Sequence, residues 1–158
     1  MAIYMKFDTI PGAVTTTGYA QWIELTSFQW GSGRAIGTAA RGSLSRESSE
    51  PSVSEIVVTK PGDVASTKLW RESVGGLLNH KVLISFTTTN ANNPVEYQQL
   101  ELTNTAVSSY SVSSGGDLPQ ESISLNFTKI MFKFTGMDPG NTGSPDAVGI
   151  DLTTMTTL

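Results

Sequence analysis

Chemistry in this chain would have to begin at His80, its single histidine among 158 residues. A Ser/His/acid hydrolase needs that imidazole to take a proton from a positioned hydroxyl. His80 sits in Asn79-His80-Lys81, between a helix exit and a strand, and no Gly-x-Ser-x-Gly elbow presents a serine. The expectation is a solvated histidine beside a turn. Paired carboxylates are the next possibility, but Glu96 and Glu101 fall on opposite faces of one strand by parity. Gly31-Ser32-Gly33-Arg34 lacks both the Gly-x-Gly-x-x-Gly spacing and the Lys-Ser/Thr ending of phosphate loops, and reads as a turn or bulge. Asn126-Phe127-Thr128 matches a glycosylation triplet inside a strand, where the match is accidental. With one histidine and no cysteine, no metal cluster, disulfide framework or thiol nucleophile is expected. No enzyme and no cofactor are implied.

Binding classes narrow in the same way. The formal net charge of −4 argues against a nucleic-acid binder, which needs a basic face to release counterions. No run approaches the roughly 20 apolar residues of a membrane span. Lys6 and Asp8 interrupt the N-terminus before a secretory h-region forms. Direct membrane insertion is therefore not expected, and synthesis in the cytoplasm is. Charged residues make up only 15%, replaced by Ser, Thr, Asn, Gln and Gly. Such a surface suits burial against other subunits, where unpaired charge is costly.

The elements that carry these residues are mostly strands, arranged as one domain over 1–158. Ile3, Met5 and Phe7 alternate with polar neighbours. A strand over 21–30 puts Trp22, Phe28 and Trp30 on one side and Ser27 and Gln29 on the other. These aromatics, with Trp70, fit core filling better than a sugar-binding platform. Residues 37–53 lose the alternation and form a long extended loop, of a kind that is often functional. Residues 55–60 form a short strand. A helix over 63–75 follows, with Asp63 as its N-cap, an apolar stripe of Ala65, Leu69, Trp70 and Val74, and a Gly75-Gly76 exit.

Further strands span 81–89, 95–103 and 106–113, separated by turn clusters around Asn90–Pro94 and Ser114–Asp117. In 121–134 the phase of Ile123, Leu125 and Phe127 reverses at Ile130, Phe132 and Phe134. The reversal near Thr128-Lys129 predicts a bulge or a strand crossing between sheets. Residues 147–152 give a last strand, and the tail 153–158 is expected to fray. The fold class is mainly β: a compact Greek-key-like β-barrel of two sheets with one flanking helix.

Four segments in order resemble the haemolysin-coregulated protein family, the tube subunits of type VI secretion. They are Met1-Ala2-Ile3-Tyr4-Met5-Lys6, Phe28-Gln29-Trp30-Gly31, Pro51 to Lys60, and Glu121 to Ile130. The resemblance covers nearly the whole chain. It implies homohexameric rings stacked into a hollow tube, contractile sheath proteins around it, a trimeric spike protein at its tip and effector proteins in its lumen. It implies export without a signal peptide. It places Gln29, with Ser27, at the lumen. It assigns Arg41, Ser43, Leu44, Arg46, Glu47 and Glu50 of the long loop to subunit or ring-stacking contacts. Two departures stand out: Phe28 replaces a frequent Trp, and the C-terminus is Val148-Gly149-Ile150-Asp151-Leu152 with a Thr-rich tail. A phage-like tail-tube protein and a carbohydrate-binding β-sandwich are the alternatives.

Overall fold

In the strand Ile56–Pro61 every even residue is buried, and in Gln120–Asn126 every odd one is. That period of two dictates the architecture, because each such strand must lay one face on a core. The computed structural model describes residues 1–38, 48–136 and 146–158. The strands in chain order are β1 (Ala2–Phe7), β2 (Ile23–Leu25), β3 (Ser27–Gln29), β4 (Ser32–Gly33), β5 (Ser52–Val53) and β6 (Ile56–Pro61). Helix α1 (Ser66–Gly75) follows, then β7 (His80–Asn90), β8 (Asn93–Ser113), β9 (Gln120–Asn126), β10 (Lys129–Phe134), β11 (Asp146–Asp151) and β12 (Thr156–Thr157).

Two antiparallel sheets enclose the core. The first runs β12-β11-β10-β8-β7-β1-β2, and the second β3-β6-β9-β8. Strand β8 belongs to both: its first part pairs with β7 and β10, and its last part, from Ala106, pairs with β9. Asn104 marks the passage with φ 52°, a left-handed conformation that asparagine tolerates. A second corner lies at Thr26, whose amide donates to Thr59 O at 2.8 Å between β2 and β3. The expected barrel is thus two sheets meeting at corners, not a cylinder closed by one continuous ladder. Met5, Ile23, Val82, Ile84, Leu100 and Leu102 from one sheet meet Ile56, Val58, Ile123 and Leu125 from the other, all fully buried.

Several expectations hold and several shift. The phase reversal in 121–134 is the break between β9 and β10, where the chain leaves one sheet for the other. The strands expected at 95–103 and 106–113 are one strand. The strand expected over 21–30 is two, and the corner at Thr26 adds a residue that flips the parity. Ile23 and Leu25 therefore face the core on one side of it and Phe28 and Trp30 on the other. Trp22 points away and packs edge-on against Tyr19 at 4.9 Å. The tail expected to fray carries β12, which pairs with Ile150 and Asp151.

The helix starts at Ser66, and its first turn is tied down from Asp63. The Asp63 carboxylate accepts the Ala65 amide at 2.9 Å, while Ser66 Oγ accepts the Asp63 amide at 3.0 Å. Asp63 is therefore not the expected N-cap: Ala65 holds that position without a side-chain cap bond, and the Asp63–Ser66 exchange braces the turn leading into the helix. Ala65 and Leu69 are buried as expected, but Trp70 and Val74 stand more than half exposed. Gly76 closes the helix by donating to Glu72 O.

Candidate functional site: an uncharged outer face on the second sheet

The side of β3, β6 and β9 that faces away from the core is set by the same parity that fills it. Pairing registers carry one row across the sheet as Ser27, Thr59, Ser122 and Ser111. The next row is Gln29, Val57, Ser124 and Ser109. Neither row contains an ionisable side chain, and Glu55 lies beyond their end. A bulge between Val107 and Ser109 keeps the serines of β8 on this face. Hydroxyls here bond to one another: Thr26 Oγ1 to Thr59 Oγ1 at 2.9 Å, and Ser27 Oγ to the same Thr59 oxygen. Such cross-strand Ser/Thr pairs stiffen a sheet surface without charge.

Ser27 and Gln29 are both exposed on this face, as expected. Gln29 lies between half-buried Phe28 and Trp30 and opens onto a concavity of about 590 Å³. That concavity is also lined by Val57, Glu55 and the β4–β5 ribbon. The ribbon is the stem of the long loop. Ser32 and Gly33 pair with Val53 and Ser52, and Ile36 bridges Ser48. Arg41, Ser43, Leu44, Arg46 and Glu47 lie outside the described residues, whereas Glu50 is exposed beside the stem.

Beneath this sheet lies a charged cluster that attention to loops and turns overlooks. Lys60 is fully buried and Glu121 is 2% exposed. They face each other in register across β6 and β9, with Lys60 Nζ 2.5 Å from Glu121 Oε2. Lys60 also reaches Asp63 Oδ1 at 2.8 Å, Pro61 O at 2.9 Å and Ser66 Oγ at 3.3 Å. Ser66 Oγ donates to Glu121 Oε2 at 2.8 Å, and Tyr110 OH donates to Glu121 Oε1. Burial pushes the Glu121 carboxyl up, but bonds from Lys60, Tyr110 and Ser66 and the ammonium charge outweigh it, so it sits below the usual range. Burial, then the bond and charge of Glu121, raise the Tyr110 phenol to about 12. The signal was present in the sequence: Lys60 is in phase with Ile56 and Val58, and Glu121 with Ile123 and Leu125.

His80 is not solvated. It is 4% exposed, with its ring 4.8 Å from that of Phe7. Nδ1 lies 2.7 Å from Asp8 Oδ1 and Nε2 3.1 Å from Glu72 Oε2. Both ring nitrogens are engaged, so the residue clamps the helix to the end of β1 and presents no free nitrogen to a hydroxyl. Glu96 and Glu101 are also not as parity placed them. A register slip between Phe86 and Thr87 brings Glu96 onto the side of Ser85 and Gln99, at 2.5 and 3.3 Å. Glu101 pairs instead with exposed Lys81 at 3.2 Å. Trp22, Trp30 and Trp70 lie on three different surfaces and form no common platform.

Among the described residues no group of histidine and carboxylate side chains could hold a metal ion, and no helix is long and apolar enough to cross a membrane. A family model described as "Type VI secretion system effector, Hcp" matches residues 4–134. A search of curated proteins finds no significant match. Among solved structures, one described as a type six secretion system protein is 28% identical with TM-score 0.89, covering 99% of both chains. Hcp1 from Salmonella typhimurium is 20% identical with TM-score 0.79, covering 99% of this chain and 98% of its own. The secreted protein Hcp3 from Pseudomonas aeruginosa is 16% identical with TM-score 0.67, covering 95% and 97%.

Proposed function

Because the chain belongs to the Hcp family of the type VI secretion system, we propose that it is a structural subunit of the inner tube. On this reading the whole chain acts as one tube domain. Six copies close into a ring, rings stack, and the outer face of β3, β6, β9 and the end of β8 lines the channel. Gln29 and Ser27 then contact cargo. The observation that carries the reading is the pair of rows Ser27-Thr59-Ser122-Ser111 and Gln29-Val57-Ser124-Ser109. They are polar enough to stay wet and free of charge, so they accept cargo of either sign. The finer partners, a trimeric spike, a contractile sheath and effectors, follow from the same reading, as does a cytoplasmic pool exported without cleavage.

The test is Gln29→Glu. Gln29 is exposed and makes no core contact, so the ring persists at wild-type size. Six like charges now face one channel, and in a low-salt buffer they repel acidic cargo. Co-purification of acidic and basic effectors with rings of equal assembly reads the change. Recovery of acidic effectors falls and of basic ones does not. Unchanged recovery of both would reject the lumen assignment, and loss of the ring would place Gln29 in a subunit contact.

A further inference from the structure

Among the described residues, Trp30 and the stem residues Ser32, Pro51 and Val53 surround one space with Phe132, Val148 and Ile150 of β10 and β11. Trp30 stacks on Phe132 with ring centroids 6.0 Å apart. The remaining space is an open groove of about 350 Å³ bordered by Pro51, Val53, Phe132, Val148 and Ile150. Val148 is 53% exposed in it.

A second apolar surface lies elsewhere on the chain. Trp70 and Val74 share one side of α1, and Leu77 and Leu78 follow its exit, all more than half exposed. Helix residue Glu72 is clamped through His80 to the end of β1, whereas the groove sits at β10 and β11. Helix α1 packs on β8, and Trp70 lies beside Tyr110, Ser111 and Val112 near its end; in the second sheet that end is the edge opposite β3, next to which Trp30 borders the groove. Apolar patches of this kind mark interaction sites.

We infer that the α1 face of one copy seats in the β10–β11 groove of the next copy. This assignment rests on the ring reading above and names the surfaces that meet. One surface projects and the other is concave, and both are apolar. Their described charged neighbours are complementary in balance: Lys68 and Arg71 flank Trp70, while at the groove Glu50 beside Pro51 and Asp146 near Val148 outnumber Arg34 of the stem. The remaining charged residue on the helix, Glu72, turns inward to His80. Two different surfaces make a heterologous contact, which repeats until rotation closes it. Trp70 is the anchor, since a large aromatic in an apolar pocket is where interface energy concentrates.

Sedimentation velocity of the full chain tests this with two single variants and their mixture. Trp70→Glu spoils the projecting surface and Val148→Glu the groove. Both positions are exposed, and circular dichroism checks that each variant keeps the wild-type fold. Each alone raises the concentration needed for assembly by about tenfold or more. Mixed, they retain one intact surface each and stop at one-to-one dimers. Rings from either variant at wild-type concentrations, or a mixture that gives no dimer, would overturn the assignment while leaving the ring reading intact. A wild-type chain that stays monomeric would overturn both. Charge reversal supplies a second arm. Arg71→Glu and Glu50→Arg each weaken assembly, and the chain carrying both regains it. Failure of the double variant to recover counts against the pairing of these flanks.

Discussion

Removing the Lys60 ammonium should be far more damaging than its place at a strand end suggests. Lys60→Met deletes one ion pair to Glu121, one to Asp63 and bonds to Pro61 O and Ser66 Oγ, all inside the protein. Breaking a buried pair from one side costs about 3–5 kcal/mol, because the partner charge stays buried. For a domain of this size that lowers Tm by about 6–20 °C. Lys81→Met is the internal control, since the Lys81–Glu101 pair is exposed on both sides and is worth about 0–1 kcal/mol.

The penalty also depends on pH. In the wild type the folded Glu121 carboxyl is depressed, so its contribution is present above the unfolded value of about 4.3 and lost as pH falls through the folded one. In Lys60→Met only the Tyr110 and Ser66 bonds still oppose the burial cost, and the carboxyl rises. The penalty is then absent below about 4.3 and grows as pH climbs through the raised value. Urea unfolding at pH 7 and pH 4 should show the difference between variant and wild type shrinking on acidification, with m unchanged. A loss at pH 7 no larger than that of Lys81→Met, or one equal at both pH values, would refute the reasoning.

Tyr110→Phe leaves Glu121 Oε1 without its phenol donor and costs about 1–3 kcal/mol at neutral pH, read by thermal melting. The wild-type phenol contribution is full below about 10 and lost as pH rises toward about 12, so the variant should show a flatter stability profile across that window. Gly12→Ala drives a methyl into the Trp22 carbonyl, 2.2 Å from its oxygen. It should destabilise by about 1–3 kcal/mol, whereas Gly115→Ala, with open space around it, should be near neutral in the same melt. Replacing residues 39–47 with a short Gly-Ser linker should leave the fold's melting unchanged, because closure entropy depends weakly on loop length, and should lower ring yield in sedimentation. An unfolded product would place those residues in the core.

Where alternation ran unbroken, the sequence was enough. The odd positions of β9 and the reversal near Thr128 each appear in the structure as read. Parity failed where a residue is inserted without a Gly or Pro to announce it. Thr26 turns a corner between two sheets, and Trp22 was therefore assigned to the wrong face. The slip beside Glu96 does the same. The strand expected over 95–103 and the one over 106–113 left a gap at Asn104, whose positive φ lets β8 bend and continue. Lys60 and Glu121 were legible by phase but are read as solvated when charge is taken as a sign of exposure. His80 was not legible, since Asp8 comes from a distant segment and Glu72, eight residues back, meets it only once the helix folds against the end of β1. The outward placement of Ser27 and Gln29 followed from strand parity, which is local, while the groove depends on how strands from both sheets and the loop stem meet.

The β7–β8 hairpin turns on two residues, Ala91 and Asn92, both with positive φ, the geometry that matches strand twist. Its two strands are adjacent in sequence, whereas β1 must find β7 across some 70 residues and β3 must find β6 past the long loop. In time rather than space, this makes the hairpin the natural first event, at about 1–10 μs for such a unit. The corners at Thr26 and Asn104 join segments of both sheets and are expected to form later. Substitutions within the turn should then act on the folding rate, and substitutions at Thr26 on the unfolding rate. The chain would owe its speed of folding to Ala91-Asn92 and its lifetime in the folded state to the sheet corner.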